Sequence, residues 1–342
     1  MSRLNKKLLR DLGAHWAQVA AILAVVALGI VMFTGPLLAT RDLKDSVNDI
    51  YRRTRYEDFS ARVTDAPFSI AAEVRAVPNV TAAEGRIVRN TQGGLAGRRL
   101  TLRVVTVPDA GRPAVNDLIV EKGAYLEPGV SGGCMVEHHI ATELRLPPGT
   151  PLTVSGVSGE VTFVVTGTVV SPEYLRMVTS KAEYVTDPAQ FGVIFVRYSD
   201  AAGLFDMDGR INNIPGRVAD NGRLRETMGA VEELLAPSGL TGLTAGPDEP
   251  AAFTLTFELQ DVEKVAFFFS LLLFAVAALA IYITMTQIVF SQQREIGATR
   301  ALGYGRRDLS LHYVGYGVAL GAAGGVIGVV AGFFLSRLFA NV

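Results

Sequence analysis

Cysteine and net charge are the two things this sequence most conspicuously lacks. Among 342 residues there is one cysteine, Cys134, and the formal net charge is −1. A single cysteine excludes an internal disulfide, so that any domain must be stabilised by packing alone. A chain without a basic excess also lacks the electrostatic footprint of nucleic-acid binding. We therefore expect no nucleic acid among its partners.

Charged residues are scarce overall, at 19%, whereas 49% of the residues are hydrophobic. The apolar residues are concentrated in three runs, at 16–38, 265–290 and 311–339. Each run reaches the roughly 20 residues that a helix needs to cross a bilayer. The first run follows basic residues, as a signal peptide would, but it is longer than a signal core of about 7 to 15 residues. It is therefore interpreted as an uncleaved anchor.

The runs predict transmembrane helices at 14–40, 265–290 and 309–339. Basic residues precede the first run and also lie between the second and the third. By the positive-inside rule both of these flanks are cytoplasmic, which places residues 41–264 outside. The basic flanking residues are Arg3, Lys6, Lys7, Arg10, Arg294, Arg300, Arg306 and Arg307.

Residues 1–13 form a cytoplasmic amphipathic lead-in. Helical spacing places four leucines on one face with basic residues around them, namely Leu4, Leu8, Leu9 and Leu12. This pattern is typical of an interfacial helix that binds anionic membrane lipids. The alternative is a charged lead-in that only sets the topology.

The exterior residues, 41–264, predict an α+β fold. Alternating patterns indicate strands at 58–63, 80–90, 191–199 and 212–218, and helical periodicity indicates helices at 69–77 and 222–236. We interpret these as two strand and helix units flanking a β-rich insertion at about 119–188, with a hairpin turn at 157–160. The predicted fold is therefore membrane helices plus a split α/β domain with an inserted small β-rich subdomain.

One stretch of the exterior domain collects residue types that bind metals: Cys134, Glu137, His138 and His139. Adjacent histidines cannot face the same way on a helix or a strand, and no second cluster completes a four-ligand site. The sequence also has no GxSxG or HExxH motif. We predict no catalytic residues, no metal and no cofactor.

The segment between the second and third runs, 291–308, carries an unusual pattern. Ala298, Ala301 and Leu302 lie on one face of a predicted short helix with a basic rim. A small, flat apolar face of this kind is suited to a groove of another protein. The alternative is a membrane-surface loop whose arginines only set the topology.

"QQREIGATRALGYGRRDL" at 292–309 resembles the signature of the MacB/FtsX-like, or type VII, ABC transporter permeases, and "YVTDPAQFGVIFVR" at 184–197 resembles their exterior domains. The resemblance implies a porter-like exterior fold and a coupling helix that contacts a separate ATPase subunit. The chain itself has no GxxxxGK[ST] phosphate loop. The implied coupling residues are Arg294, Glu295, Gly297, Arg300, Ala301, Leu302 and Gly303.

Glycines in the third run are spaced four apart in two sets, which predicts two ridges where helices approach closely. The two sets are Gly317, Gly321 and Gly325, and Gly324, Gly328 and Gly332. They fit either a second copy or homologue of the permease or packing within one chain. The family has four spans and this sequence shows three, so a fourth span is expected to be missing. The early third span also lacks the acidic residue that many relatives carry.

The resemblance implies a permease subunit in the bacterial cytoplasmic (inner) membrane, multi-pass, with a cytoplasmic N-terminus and a large extracytoplasmic domain. ATP hydrolysis by the partner ATPase would move that domain for export or mechanotransmission, with an extracytoplasmic adaptor protein as a further expected partner. Two alternatives stay open. One is a non-transporting regulator that activates an envelope partner such as a cell-wall hydrolase, and the other is a membrane-anchored sensor.

Overall fold

The computed structural model describes residues 16–95, 97–157, 159–176, 190–301 and 305–340. Side chains are not described at 295, 299, 300, 306, 308, 309, 312, 313, 336 and 338–340. The predicted lead-in at 1–13 lies outside the described residues. The chain forms two compact units: one contains residues up to Ser46 and from Glu258 onward, and the other is Val47–Phe257.

The first unit is helical. Its helices are α1 (Trp16–Thr54), α6 (Pro250–Ser291), α7 (Gln293–Ala301) and α8 (Arg306–Ala340), the first two of which extend into the second unit. Three of these contain segments long and apolar enough to cross a membrane: Trp16–Thr54, Pro250–Ser291 and Val314–Leu335. The three predicted apolar spans are thus found as helices.

These helices pack together through few residues. Ile22, Val26, Ala277 and Leu320 form a small buried cluster, and Lys44 of α1 pairs with Glu263 of α6 at 2.5 Å. Most other apolar side chains point outward; Phe268, for example, is 63% exposed. An uncharged helix with an exposed apolar surface is stable only in lipid, because its backbone groups are already satisfied internally.

The second unit contains the remaining elements. In chain order they are β1 (Phe59–Pro67), α2 (Ile70–Ala76), β2 (Val80–Ala83), β3 (Val88–Leu95), β4 (Arg98–Val107), β5 (Ile119–Gly123), β6 (Gly133–Glu137), α3 (His138–Glu143), β7 (Pro151–Gly156), β8 (Gly159–Val170), β9 (Phe191–Arg197), α4 (Tyr198–Phe205), β10 (Arg210–Val218), α5 (Leu224–Leu235) and β11 (Leu240–Ala245).

A four-stranded antiparallel sheet has the order β11-β1-β10-β2. Helices α2 and α5 contribute to its core, in which Phe59, Val74, Ile214 and Val231 are fully buried. The amphipathic pattern of α5 explains this contact, since Val231 and Leu235 lie four residues apart on one face.

A seven-stranded mixed sheet has the order β5-β8-β6-β9-β4-β3-β7, and β7 also pairs with β8. This last pairing closes six of the strands on themselves and forms the predicted hairpin around residues 157–160. The pairs β4/β9 and β6/β8 are parallel. One face of the sheet encloses a core that includes Leu102, Val136 and Ile194.

The structure corrects two details of the exterior prediction. The single strand predicted at 80–90 is two strands, β2 and β3, which belong to different sheets, and β9 at 191–197 joins the larger sheet. The second of the two predicted strand and helix units, which lies in the smaller sheet, therefore consists of β10, α5 and β11. Strands of the larger sheet begin at Val88 and end at Arg197, which is a wider range than 119–188. Periodicity identifies a strand but not its partner, because pairing between distant strands leaves no local pattern.

Candidate functional site

Helix α7 lies between the two long helices α6 and α8 and presents one continuous exposed face. Arg294, Gly297, Ala298 and Ala301 are all exposed and follow the spacing i, i+3, i+4 and i+7. Residues with this spacing share a helix face. Ile296 lies on the opposite face and is half-buried. A Cβ added at Gly297 would meet nothing within 4 Å, so this face of the described structure is open to a partner.

The other predicted coupling residues are only partly visible. Glu295 and Arg300 lie on α7, but their side chains are not among those described. Leu302 and Gly303 lie outside the described residues. The structure therefore places five of the seven predicted coupling residues on α7, and the side chains of three of them, Arg294, Gly297 and Ala301, are described.

The ridge of Gly324, Gly328 and Gly332 packs against α1. A Cβ added at Gly324 would lie 2.8 Å from Val26 Cγ1, and one added at Gly328 would lie 2.7 Å from Ile30 Cβ. A Cβ added at Gly332 would overlap the Thr34 hydroxyl. These glycines allow the two helices to approach more closely than any side chain would permit.

The ridge of Gly317, Gly321 and Gly325 is more open. A Cβ at Gly317 or Gly325 would make ordinary contacts, at 3.7 Å to Ile281 and 3.6 Å to Ile30, and one at Gly321 would meet nothing within 4 Å. The two sets of glycines therefore differ: one is filled by α1, and the other is free around Gly321 in the described structure.

The residues considered as metal ligands lie at the end of a buried strand. Cys134 is fully buried in β6, and His139 Nδ1 lies 3.0 Å from Glu137 Oε1. The Glu137 carboxylate raises the pKa of His139. His138 instead faces Glu121 at 2.7 Å. Within the described ranges no three ligand-type side chains come together as a metal site.

The sequence did not reveal a buried ion pair between the two sheets. Arg86 lies in the connection between β2 and β3, is 8% exposed and donates its Nε to Asn213 Oδ1 of β10 at 2.5 Å. Its guanidinium also forks onto Glu173, which follows β8, with Nη1 to Oε2 at 2.7 Å and Nη2 to Oε1. No sequence pattern distinguishes Arg86 from the exposed arginines near it.

Residues 267–342 match the FtsX-like permease C-terminal family. This range contains most of α6 and all of α7 and α8. The carboxyl-terminal part of this chain is therefore similar to the FtsX-like permeases, as the signature at 292–309 had predicted. The helices in this range that are long and apolar enough to cross a membrane agree with such a match.

Three solved structures are similar to part of this chain. The periplasmic region of MacB from Actinobacillus actinomycetemcomitans is 10% identical, with a TM-score of 0.38, over 61% of this chain and 98% of that one. The extracellular domain of the noncanonic ABC-type transporter YknZ from Gram-positive bacteria is 10% identical, with a TM-score of 0.36, over 53% and 89%. A domain of a putative permease protein from Porphyromonas gingivalis is 10% identical, with a TM-score of 0.30, over 54% and 84%. No curated protein sequence matches the chain.

A second buried carboxylate lies near Arg86. Glu57 is 2% exposed; its backbone N–H donates to Asn116 Oδ1 at 2.9 Å, and its Oε2 accepts from Asn116 Nδ2 at 3.0 Å. Burial raises the pKa of Glu57 well above its usual range, the nearby Glu173 raises it further, and Arg86 opposes both. Its charge is therefore costly in the folded state.

We expect Glu57→Gln to make the compact unit Val47–Phe257 more stable at pH 8 than in the wild type. A carboxyl whose pKa is raised by folding binds more protons folded than unfolded, so that its contribution to stability falls as pH rises through the interval between the two pKa values. The amide removes this loss. The advantage of the variant should shrink as the pH is lowered toward the ordinary glutamate pKa. Urea unfolding of the full chain in detergent, followed by proteolysis, measures the stability difference between variant and wild type at each pH. A difference that does not change with pH would contradict a raised pKa of Glu57 as its cause.

Proposed function

We propose that this chain is an ABC-type permease subunit that couples ATP hydrolysis by a separate ATPase subunit to movement of its extracytoplasmic domain. The observation that carries the proposal is α7, a short helix that presents a small-residue face with no covering side chain in the described structure. Gly297, Ala298 and Ala301 make this face flat, so that the backbone can approach a groove closely. Arg294 at its edge adds a charge that can pair with an acidic rim on the partner.

The helices around α7 suit a mechanical role. Helix α6 is a single element of 42 residues, and α7 starts directly after it, with the Ile296 N–H bonded to the Gln292 carbonyl at 2.9 Å. A displacement of α7 is therefore transferred to α6 without an intervening flexible loop. We place α7 on the cytoplasmic side of the inner membrane, because arginines are concentrated around it.

The assembly we propose also includes a second permease copy or homologue. The opening around Gly321 supplies a place where a helix from that copy can approach. An extracytoplasmic adaptor would bind the exterior domain, and the lead-in at 1–13 would bind membrane lipids.

Substitution on the exposed face of α7 is expected to abolish binding of the ATPase subunit encoded beside this permease. In Ala301→Glu a charged side chain occupies the small-residue face, where it blocks close approach and is left without water. We expect at least a tenfold loss of ATPase subunit in co-purification, and a similar loss of ATPase activity in nanodiscs. Arg294→Glu should act in the same direction.

Gln293→Glu is the matched control. Gln293 is exposed on the same helix, but helical geometry places it about 90° away from the centre of the face. The substitution Gln293→Glu adds one negative charge, as Ala301→Glu does. Equal loss in both variants would show a general charge effect rather than a defined face. Failure of the wild type to bind any ATPase subunit would refute the coupling proposal.

A further inference from the structure

A cleft of about 460 Å³ lies between the two sheets of the exterior domain. Its floor is buried and polar, with Ser60 and Asn213 from the smaller sheet and Tyr174 from the segment after β8. Strands β3 and β4 of the larger sheet form part of its wall, and Pro250 and Ala251 at the start of α6 complete it. A polar cleft of this size is in the range of small-molecule sites.

Four arginines line the cleft, and three of them have no carboxylate partner. Arg86 is neutralised by Glu173, but no ion pair is found for Arg62, Arg89 or Arg103 in the described parts of the chain. Arg62 Nη2 donates to Thr244 Oγ1 at 3.2 Å, and Arg103 Nε donates to Asn90 Oδ1 at 2.9 Å.

Arg89 is the least satisfied of the three. Its hydrogen-bond contact is Met207 Sδ at 3.8 Å, and sulfur is a weak acceptor. These arginines come from three different strands, β1, β3 and β4. Three guanidinium groups that come from separate strands and have no carboxylate within ion-pair distance in the described structure give the cleft a concentrated positive potential.

The acidic residues of the cleft do not cancel this charge. Glu173 is held by Arg86, and Glu249 lies just before α6. Burial raises the pKa of Glu249, and the nearby Arg62 opposes that shift. Its Oε1 is buried and has no hydrogen-bond partner among the described residues. Even with both carboxylates ionised, the four arginines outnumber the two acidic residues of the cleft, which leaves an excess of positive charge.

We propose that this cleft binds a small organic anion with at least two phosphate or carboxylate groups. Guanidinium groups present forked donors that match both kinds of oxyanion. The opposing view, that the arginines are simply solvated, accounts for one exposed arginine on a strand. It does not account for three that converge over a buried polar floor. Binding of the anion does not depend on the proposed coupling function.

The test is isothermal titration of the full chain in detergent with pyrophosphate and, separately, with tricarballylate, a tricarboxylate. We expect saturable binding of at least one of them, and the one that binds tighter identifies the oxyanion class. Arg89→Gln and Arg103→Gln should each weaken that binding at least tenfold. Arg99→Gln should leave it unchanged, because Arg99 is an exposed arginine of the same strand as Arg103 and does not line the cleft.

Two results would overturn the proposal. One is the absence of saturable wild-type binding for both anions. The other is equal weakening in Arg99→Gln, which would show attraction to surface charge in general. Thermal melting of each variant checks its folding, and Arg89→Gln carries the test by itself if Arg103→Gln is unstable, because Arg89 is exposed and packs little.

Discussion

Arg86→Met is expected to lower the free energy of unfolding of the exterior domain by about 3–5 kcal/mol, the usual cost of removing one partner from a buried ion pair. Glu173 would remain close to Glu57 without a compensating charge. Asn213 Oδ1, which accepts from Arg86 Nε at 2.5 Å, would also lose its donor. The two sheets would lose their principal ionic connection in this region.

Pulse proteolysis of the full chain across a urea series measures this loss, since Trp16 lies outside the exterior domain and its fluorescence does not report on it. Arg99→Met is the control, because Arg99 is exposed and has no carboxylate partner in the described structure; we expect a change within about 0.5 kcal/mol. The double variant Arg86→Met with Glu173→Met should recover much of the stability, because an apolar pair replaces the whole ion pair. A loss below about 1 kcal/mol for Arg86→Met would contradict the role of the pair.

Gly328→Leu is expected to separate α8 from α1. An added Cβ would lie 2.7 Å from Ile30 Cβ and 2.8 Å from the Ala27 carbonyl oxygen. A backbone atom cannot rotate away as a side chain can, so that the helices must shift. Overpacking of this kind costs about 1–3 kcal/mol, and the longer leucine side chain places the effect at the upper end of that range.

Gly321→Leu is the matched control on the same helix, since a Cβ there meets nothing within 4 Å. Melting of the full chain in detergent, followed by size-exclusion chromatography, should show a lowered midpoint for Gly328→Leu. The midpoint of Gly321→Leu should stay near that of the wild type. The oligomeric state of Gly321→Leu is a separate measurement. A shift toward monomer would support binding of a second permease copy at this ridge. Equal destabilisation of both variants would contradict the difference between the two ridges.

Helical and strand periodicity predicted much of the local structure correctly. The helices at 69–77 and 222–236 and the strands at 58–63, 191–199 and 212–218 are all present within a few residues of their expected ends. The helices place apolar residues at helical spacing, and the strands are short apolar or alternating segments, such as the continuous apolar run of β9; both patterns are local information. The short strand β11 was missed, because none of its residues is buried and its apolar contrast is weak.

The candidate sites show the same division. The spacing of residues 294–301 was enough to predict a short helix with a small-residue face. The environments of the glycines in α8 could not be predicted, since Gly321 and Gly328 have the same spacing pattern and differ only in what lies opposite. Arg86, Arg89 and Arg103 are likewise alike in sequence, yet one is buried in an ion pair and the others line an open cleft.

The sequence by itself determined the apolar helices, the α+β class of the domain between them and the resemblance of residues 292–309 to the FtsX-like permeases, because hydrophobic length, periodicity and a contiguous signature are all properties of neighbouring residues. Only the tertiary structure decided which sheet each strand joins, which glycine ridge is filled and which arginines are paired. These depend on contacts such as β4 with β9 and Arg86 with Glu173, between residues that are about 90 positions apart along the chain. Their chemistry becomes visible only when folding brings them together.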